Sequence, residues 1–339
     1  MSTSLAAEKQ HIPAALRALV QQRGKSLSSS ARSLYTDDVA FNAFCPVDEC
    51  TGVDAAIEQF WQPLVTALPD LERRDELIVA GEFQGQNMIA CLGHWQGHLQ
   101  APLFEIPATG RLVAIRYGEV HLITESKISA SYIIADMLDL MRQVGVTPIA
   151  PSLGDEIQWP GPAVAAGIDC DRIDPTRGAS TLHRVREMHQ ALGSFDGKSL
   201  DSMPHATYWH QDFMWYGPSG IGTTRGLDGF RVCHQIPFLR AFPDRVGGQH
   251  YVRIGDGPFA VTGGWPSVTA THAGDGWLAM PATGKRVGMR VMDFYRCDEN
   301  GLIVENWVPI DIIDILRQLG VDVFGRLREI TRTTDPSVL

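Results

Sequence analysis

No window of this sequence approaches 18 consecutive apolar residues, and its opening stretch, MSTSLAAEKQ, has no basic segment followed by an apolar run. The first absence argues against a membrane-spanning helix and the second against a secretory leader, so the expectation is a soluble cytoplasmic protein with no membrane partner. The six cysteines (Cys45, Cys50, Cys91, Cys170, Cys233 and Cys297) form no CxxC pair and no His/Cys cluster at zinc spacing. A structural metal or a dense disulfide framework therefore has no support. Positive charge is also in short supply. Lys and Arg number 29 against 39 Asp and Glu, a net charge of −10, which makes nucleic acid a poor partner. No GxGxxG follows a clear strand, and GxxxxGK[ST], GxSxG and HExxH do not occur. Chemistry without a metal or an organic cofactor fits best.

What is present is a repeat. The 339 residues are enough for two domains, and 44% hydrophobic with 20% charged residues is an ordinary globular balance. Gly52-Val53-Asp54 recurs as Gly226-Leu227-Asp228, Pro69-Asp70 as Pro243-Asp244, His98 as His272, and Pro107-Ala108-Thr109-Gly110 as Pro281-Ala282-Thr283-Gly284, each at an offset of 174 residues. Later landmarks slip by one, Asp136 to Asp311 and Gln143 to Gln318, as one residue inserted near Asp298–Gly301 would cause. Chance rarely preserves so many landmarks in order, so the chain reads as two copies of one domain. Residues 1–150 form the first, 179–330 the second, and the Pro- and Gly-rich stretch 151–178 is a connector.

Within each copy, apolar spacing predicts a leading helix (Ala15–Gln22; Leu182–Leu192) and a second helix from about Val53 to Ala67, both second helices stopping at Pro-Asp. Strand patterns follow at Glu76–Ala80, Gln86–Trp95 and Val113–Ile123, and at Gln249–Ile254, Phe259–Ala270 and Lys285–Tyr295. Asp256-Gly257 and Asn300-Gly301 read as hairpin turns. A short helix closes each copy. The order gives an α+β domain with a curved antiparallel sheet.

Strand alternation sets Ile115, Tyr117, Glu119 and His121 on one face of the first copy, and Met289, Val291, Asp293 and Tyr295 on the matching face of the second. A carboxylate among apolar neighbours tends to have a raised pKa, which suits a general acid or base. Asp293 is read as lining a pocket; a satisfied structural carboxylate and an exposed one are the alternatives. The matched pairs His272/Asp293 and His98/Glu119 suggest a tuned imidazole beside each carboxylate, against the plainer reading of histidines that bind loop carbonyls. The second copy adds Tyr208, Trp209, His210, Phe213, Trp215, Tyr216 and Trp265, aromatics that either line a pocket for a flat apolar ligand or fill the core and the contact between copies. Phe41-Asn42-Ala43-Phe44 holds the place of Trp215-Tyr216-Gly217-Pro218, so the second copy is the better candidate for an active pocket.

Together, Gly226-Leu227-Asp228, Phe242-Pro243-Asp244, Thr271-His272-Ala273-Gly274, Pro281-Ala282-Thr283-Gly284-Lys285, Asp293-Phe294-Tyr295-Arg296, Trp307 and Gln318-Leu319-Gly320 resemble the SnoaL-like polyketide cyclases, relatives of ketosteroid isomerase and nuclear transport factor 2. The first copy is similar but carries Glu119 where the family pattern has Asp. The resemblance implies tandem cone-shaped α+β barrels, each closed by helices around a pocket, an intrachain pseudo-dimer with room for a further homodimer, and a small hydrophobic ligand. It also implies cofactor-free aldol closure in which Asp293 shuttles the proton, His272 orients it or stabilises the enolate, and Trp215, Tyr216 and Trp265 pack the substrate, with Glu119 and His98 as a second site. Dehydration, isomerisation or hydrolysis of a small cyclic metabolite, and non-enzymatic binding, are the alternatives that fold analogy leaves open.

Overall fold

Asp136 and Asp311 each accept a hydrogen bond from the backbone N–H three residues on, at 3.0 and 3.1 Å, and so start the closing helices Met137–Gln143 and Ile312–Leu319. The same aspartates bind the opposite half of the chain. Asp136 accepts from the Ser219 backbone N–H at 2.8 Å and Asp311 from that of Cys45 at 2.9 Å. Residues 45 and 219 are themselves equivalent in the repeat, so the contact is reciprocal, as across a two-fold axis. Arg116 and Arg290, also equivalent, lie against these aspartates at 3.5 and 3.2 Å. Burial, and then repulsion from Asp139 and Asp314, pushes the Asp136 and Asp311 carboxyls up to about 6.

The computed structural model describes residues 4–333. In the first half, β1 (Tyr35–Ala43), β2 (Glu49–Thr51), β3 (Glu72–Phe83), β4 (Gln86–His98), β5 (Leu112–Thr124) and β6 (Lys127–Ala135) form one sheet in the order β2-β1-β6-β5-β4-β3. In the second half, β7 (Trp209–Tyr216), β8 (Thr224–Arg225), β9 (Val246–Gly247), β10 (His250–Asp256), β11 (Phe259–Thr271), β12 (Arg286–Cys297) and β13 (Ile303–Trp307) form another, β10-β11-β12-β13-β7-β8, with β9 against β11. The expected all-antiparallel sheet is corrected here: β1 runs parallel to β6 and β7 parallel to β13. The sequence reading had no strand at β1, β6, β7 or β13, because charged or bulky aromatic residues interrupt their alternation.

Residues 53–67 and 226–241 form the second helix of each copy, and both widen to a π turn, at Ile57–Trp61 and Arg231–Gln235. Pro63 and Pro237 follow each π turn by two residues. A proline ring has no N–H and crowds the carbonyl four residues back, and a wider turn relieves that clash. The leading helix of the second copy, Pro175–Leu192, starts inside the stretch read as connector, with Asp174 accepting from the Arg177 N–H at 3.0 Å as its cap.

The outer faces of the two sheets pack on each other. Leu77, Val79 and Val120 from one, with Ile254, Met292 and Phe294 from the other, belong to one buried apolar cluster. The approach is close: a Cβ on Gly118 would come 2.7 Å from Pro309. The connector closes the seam. Trp159 is buried in the same cluster under the Arg116 guanidinium, and the Trp307 indole N–H donates to the Pro160 carbonyl at 2.8 Å. Neither copy is complete without the other on this face. Residues 175–339 expressed alone are expected to self-associate, read by size exclusion with light scattering; a stable monomer would show that the apolar face does not need covering.

Candidate functional site

The inner faces of the two sheets carry equivalent positions with different contents. In the first copy Trp95 stacks on Tyr117 with ring centroids 4.6 Å apart, and Phe60 packs on Trp95 at 5.5 Å. Between them the Arg73 guanidinium lies 2.7 Å from Glu119 and 2.8 Å from Asp75, 4.7 Å above the Tyr117 ring. Glu119 is also 3.2 Å from His121 Nε2, whose Nδ1 meets the Ser131 hydroxyl at 2.9 Å. Burial alone would raise the Glu119 carboxyl, but the Arg73 charge and the His121 hydrogen bond outweigh it and hold the carboxyl at about 2. A carboxylate so firmly ionised is a poor proton shuttle.

Strand pairing identifies the residues of the second copy that stand at those places. Arg73 faces Trp95, and Gly247 faces Val268; Trp95 faces Ile115, and Val268 faces Met289. Gly247, Val268 and Val291 thus replace Arg73, Trp95 and Tyr117, and His234 replaces Phe60. The smaller side chains leave a cavity of about 390 Å³, with Trp209, Trp215, Phe230, His234, Asp293 and Tyr295 in its lining. If this substitution makes the cavity, reversing it should fill it. Val268→Trp with Val291→Tyr is expected to abolish ligand binding and turnover while shifting the unfolding temperature by only a few degrees, since the new rings occupy open space rather than packed core. Undiminished binding in that variant would place the ligand elsewhere.

Asp293 is partly exposed into the cavity. Burial pushes its carboxyl up to about 6, against hydrogen bonds from Tyr295 and Asn306, the latter at 3.4 Å. The Tyr295 hydroxyl is 2.9 Å from His189 Nε2. With Asp293 ionised, the assignment that satisfies every partner has His189 donating to Tyr295 and Tyr295 donating to Asp293. Burial, and then the charges of His250 and Arg253, pull His189 down to about 4; burial alone does the same to His234. Both rings are neutral at pH 7. His234 stacks on Trp215 at 4.3 Å, and among the described residues neither its Nδ1 nor the Trp209 indole nitrogen has a hydrogen-bond partner. Both residues line the cavity, and these two nitrogens lie buried in its wall.

The paired histidines are separated from the carboxylates. His272 donates its backbone N–H to the Lys285 carbonyl, and Lys285 is eight residues along the strand direction from Asp293, roughly 26 Å of extended chain. Its ring is fully buried, 3.3 Å from the Thr283 hydroxyl and packed on Phe242 and Trp277. His98 is exposed, and both its backbone N–H and its ring bind Asp70. The two histidines are not even equivalent: Leu99, not His98, makes the backbone bond that matches that of His272, because β11 does not keep the 174 offset from β4, Cys91 matching Thr262 before the β11 bulge and His98 matching Thr271 after it. The fixed offset of 174 concealed this shift.

Three further expectations are corrected by strand geometry. Trp215 faces the cavity, so Tyr216 next to it points to the other sheet, stacked on Trp307 and 3.4 Å from Glu305. His210 adjoins inward-facing Trp209 and accepts from the Asp212 backbone N–H at 3.1 Å, outside the lining. Trp265 lies on the first copy's side, its indole N–H donating to Glu49 at 2.9 Å under the Arg290 guanidinium. Conversely, His189, His234 and Asn306 went unassigned. A position-by-position comparison of the copies carried a signal for His234, an imidazole where the first copy has Phe60.

This is a two-domain α+β protein with a filled interior in one domain and, in the other, an apolar cavity holding one carboxyl poised near neutral pH. A family profile for SnoaL-like polyketide cyclases matches residues 15–144 and 185–319, and the chain belongs to that family. Comparison with curated protein sequences finds no match. Among solved structures, a SnoaL-like polyketide cyclase from Agrobacterium tumefaciens is similar at 16% identity and a TM-score of 0.33, over 42% of this chain and 100% of that one. IdmH, a candidate polyketide cyclase from Streptomyces antibioticus, gives 16% and 0.34 over 41% and 99%. An NTF2-like protein from Burkholderia xenovorans gives 13% and 0.33 over 42% and 97%. Among the described residues no helix is long and apolar enough to cross a membrane.

Proposed function

We propose that the second domain is an acid–base enzyme that acts without a cofactor on a small hydrophobic, polyketide-like carbonyl compound, with intramolecular aldol closure as the reaction class. The observation that carries this is Asp293, a carboxyl pushed up to about 6 at the wall of a largely apolar cavity that no other carboxylate among the described residues lines. Each sheet wraps its long helix as a cone, and the first domain is the filled partner in an intrachain counterpart of a homodimer. Ionised Asp293 removes a proton from the carbon beside a ligand carbonyl. The enolate oxygen is met by a hydrogen bond from His234 or Trp209, the enolate carbon forms a bond to a second carbonyl carbon of the same molecule, and protonated Asp293 returns its proton to the new alkoxide. Tyr295, raised well above the usual phenol range by burial, keeps its proton and holds the carboxylate in place between turnovers.

The test is turnover of aromatic 1,3-dicarbonyl compounds and poly-β-ketone mimics, followed by ultraviolet absorbance across pH 4–9. The expected kcat/KM profile rises through an apparent pKa near 6. A rate independent of pH across that window, with a compound that is turned over, would remove Asp293 as the base.

A further inference from the structure

A vestibule of about 800 Å³ adjoins the cavity, with Leu192, Phe238, Gly247 and Val268 lining both spaces. The vestibule lining includes Lys198, Arg240 and Arg245 and no carboxylate; the cavity lining adds Arg253. In a chain with a net charge of −10 this is a local reversal of sign. The cations are also unspent. Arg73, Arg116, Arg290, Arg296 and Arg317 each lie within 4.0 Å of a carboxylate, whereas the side chains of Lys198, Arg240, Arg245 and Arg253 have none so close among the described residues. Arg245 instead sits 5.5 Å over the Phe195 ring and donates to the Phe242 carbonyl at 3.5 Å; Arg253 faces His250 Nδ1 at 3.4 Å. Both guanidiniums are partly buried, so they are partly stripped of water without a counter-charge.

Asp293 does not fill that role. Arg253 pairs with Thr262 on the neighbouring strand and Thr262 with Asp293 on the next, which places the two charged residues about 10 Å apart across the sheet. His189 and His250, the titratable groups beside Arg253, are both pulled below the ordinary imidazole range, by burial first, and supply no negative charge.

We infer that the ligand of this cavity is an acid: a flat apolar ketone whose ring system lies against Trp209 and Trp215 and whose carboxylate stays at the mouth, toward Arg245, with Arg253 adding positive charge from the cavity wall. This rests on the reading of the cavity as the ligand site and adds the substrate's charge. The arrangement also orients the molecule, since the carboxylate at the mouth keeps like charge away from Asp293 and presents the opposite end to it.

A matched pair of probes tests it: 2-naphthoate and 2-acetonaphthone, which share a ring system and differ in charge, titrated into the full chain with tryptophan fluorescence and calorimetry as readouts. At pH 7.5 and 50 mM NaCl the naphthoate is expected to bind at least tenfold more tightly, with the preference shrinking at 500 mM NaCl. The Arg245→Gln/Arg253→Gln variant is expected to lose the preference while the ketone binds within threefold of the parent. Thermal unfolding of the variant checks that it is folded, and Arg253→Lys, which keeps the charge, should retain most of the preference. Equal or tighter ketone binding by the parent, or a preference that survives the double substitution, overturns the acid while leaving the cavity as a ligand site. Failure of both probes to bind at millimolar concentration overturns the cavity itself, and the proposed function with it.

Discussion

Glu119→Gln is expected to destabilise the protein by about 3 kcal/mol at pH 7 and to leave the chemistry of the folded fraction unchanged. The substitution keeps the shape of the side chain and removes its charge, so Arg73 loses its attraction to a group 2.7 Å away in an interior where neither partner is exposed. A carboxyl lowered from 4.5 to about 2 corresponds to about 3 kcal/mol, in line with the roughly 3–5 kcal/mol that breaking a buried ion pair costs. The sign follows from linkage. The folded-state pKa is depressed, so the stabilisation is complete above 4.5 and is lost as pH falls toward 2. Urea unfolding should therefore show a gap between parent and variant that is full at pH 7, begins to close below pH 4.5 and approaches zero near pH 2. A variant as stable as the parent at pH 7 would mean that the Arg73–Glu119 pair does not hold this interior together.

The repeat, the α+β class, the long second helix of each copy and the inward face of β5 and β12 were legible in the sequence because each leaves a regular trace: fixed offsets, 3.6-residue spacing and alternation around Asp293 and Glu119. What was not legible depends on register. β11 is out of step with β4 by different amounts on the two sides of its bulge, so a constant offset made His98 and His272 look equivalent when Leu99 holds the matching place. Tyr216 and His210 were drawn into the pocket with Trp215 because aromatic density was read without the rule that neighbouring strand residues face opposite ways. The contrast between a filled and an open interior was visible only in part. It rests on Arg73 against Gly247 and Trp95 against Val268, positions that fall on strand ends where alignment by landmark is weakest. His189 comes from a helix that precedes the second sheet by many residues, and no local pattern announces that its ring ends 2.9 Å from the Tyr295 hydroxyl.

Asp293→Asn, at the place equivalent to Glu119, is expected to move both quantities in the opposite sense. Turnover should fall by roughly 10²–10⁴, the usual contribution of a positioned general base, because an amide of the same shape cannot accept and return the proton. Stability should rise. The Asp293 carboxyl is pushed up from 3.8 to about 6 by burial, so its ionised form costs the folded state free energy above pH 6, and none of that cost remains below the unfolded value of 3.8. The group is partly open to the cavity, which reduces the gain to about 1–2 kcal/mol at pH 7.5. Parent and variant should then unfold together at pH 4 and separate between pH 4 and 6, with the variant the more stable. Such a pairing of lost rate and gained stability is the mark of a residue kept for chemistry at the expense of the fold. If the variant is instead less stable at pH 7.5, or turns over a substrate as fast as the parent, Asp293 is a structural carboxylate held by Asn306 and Tyr295, and the proton carrier must be sought elsewhere in the cavity.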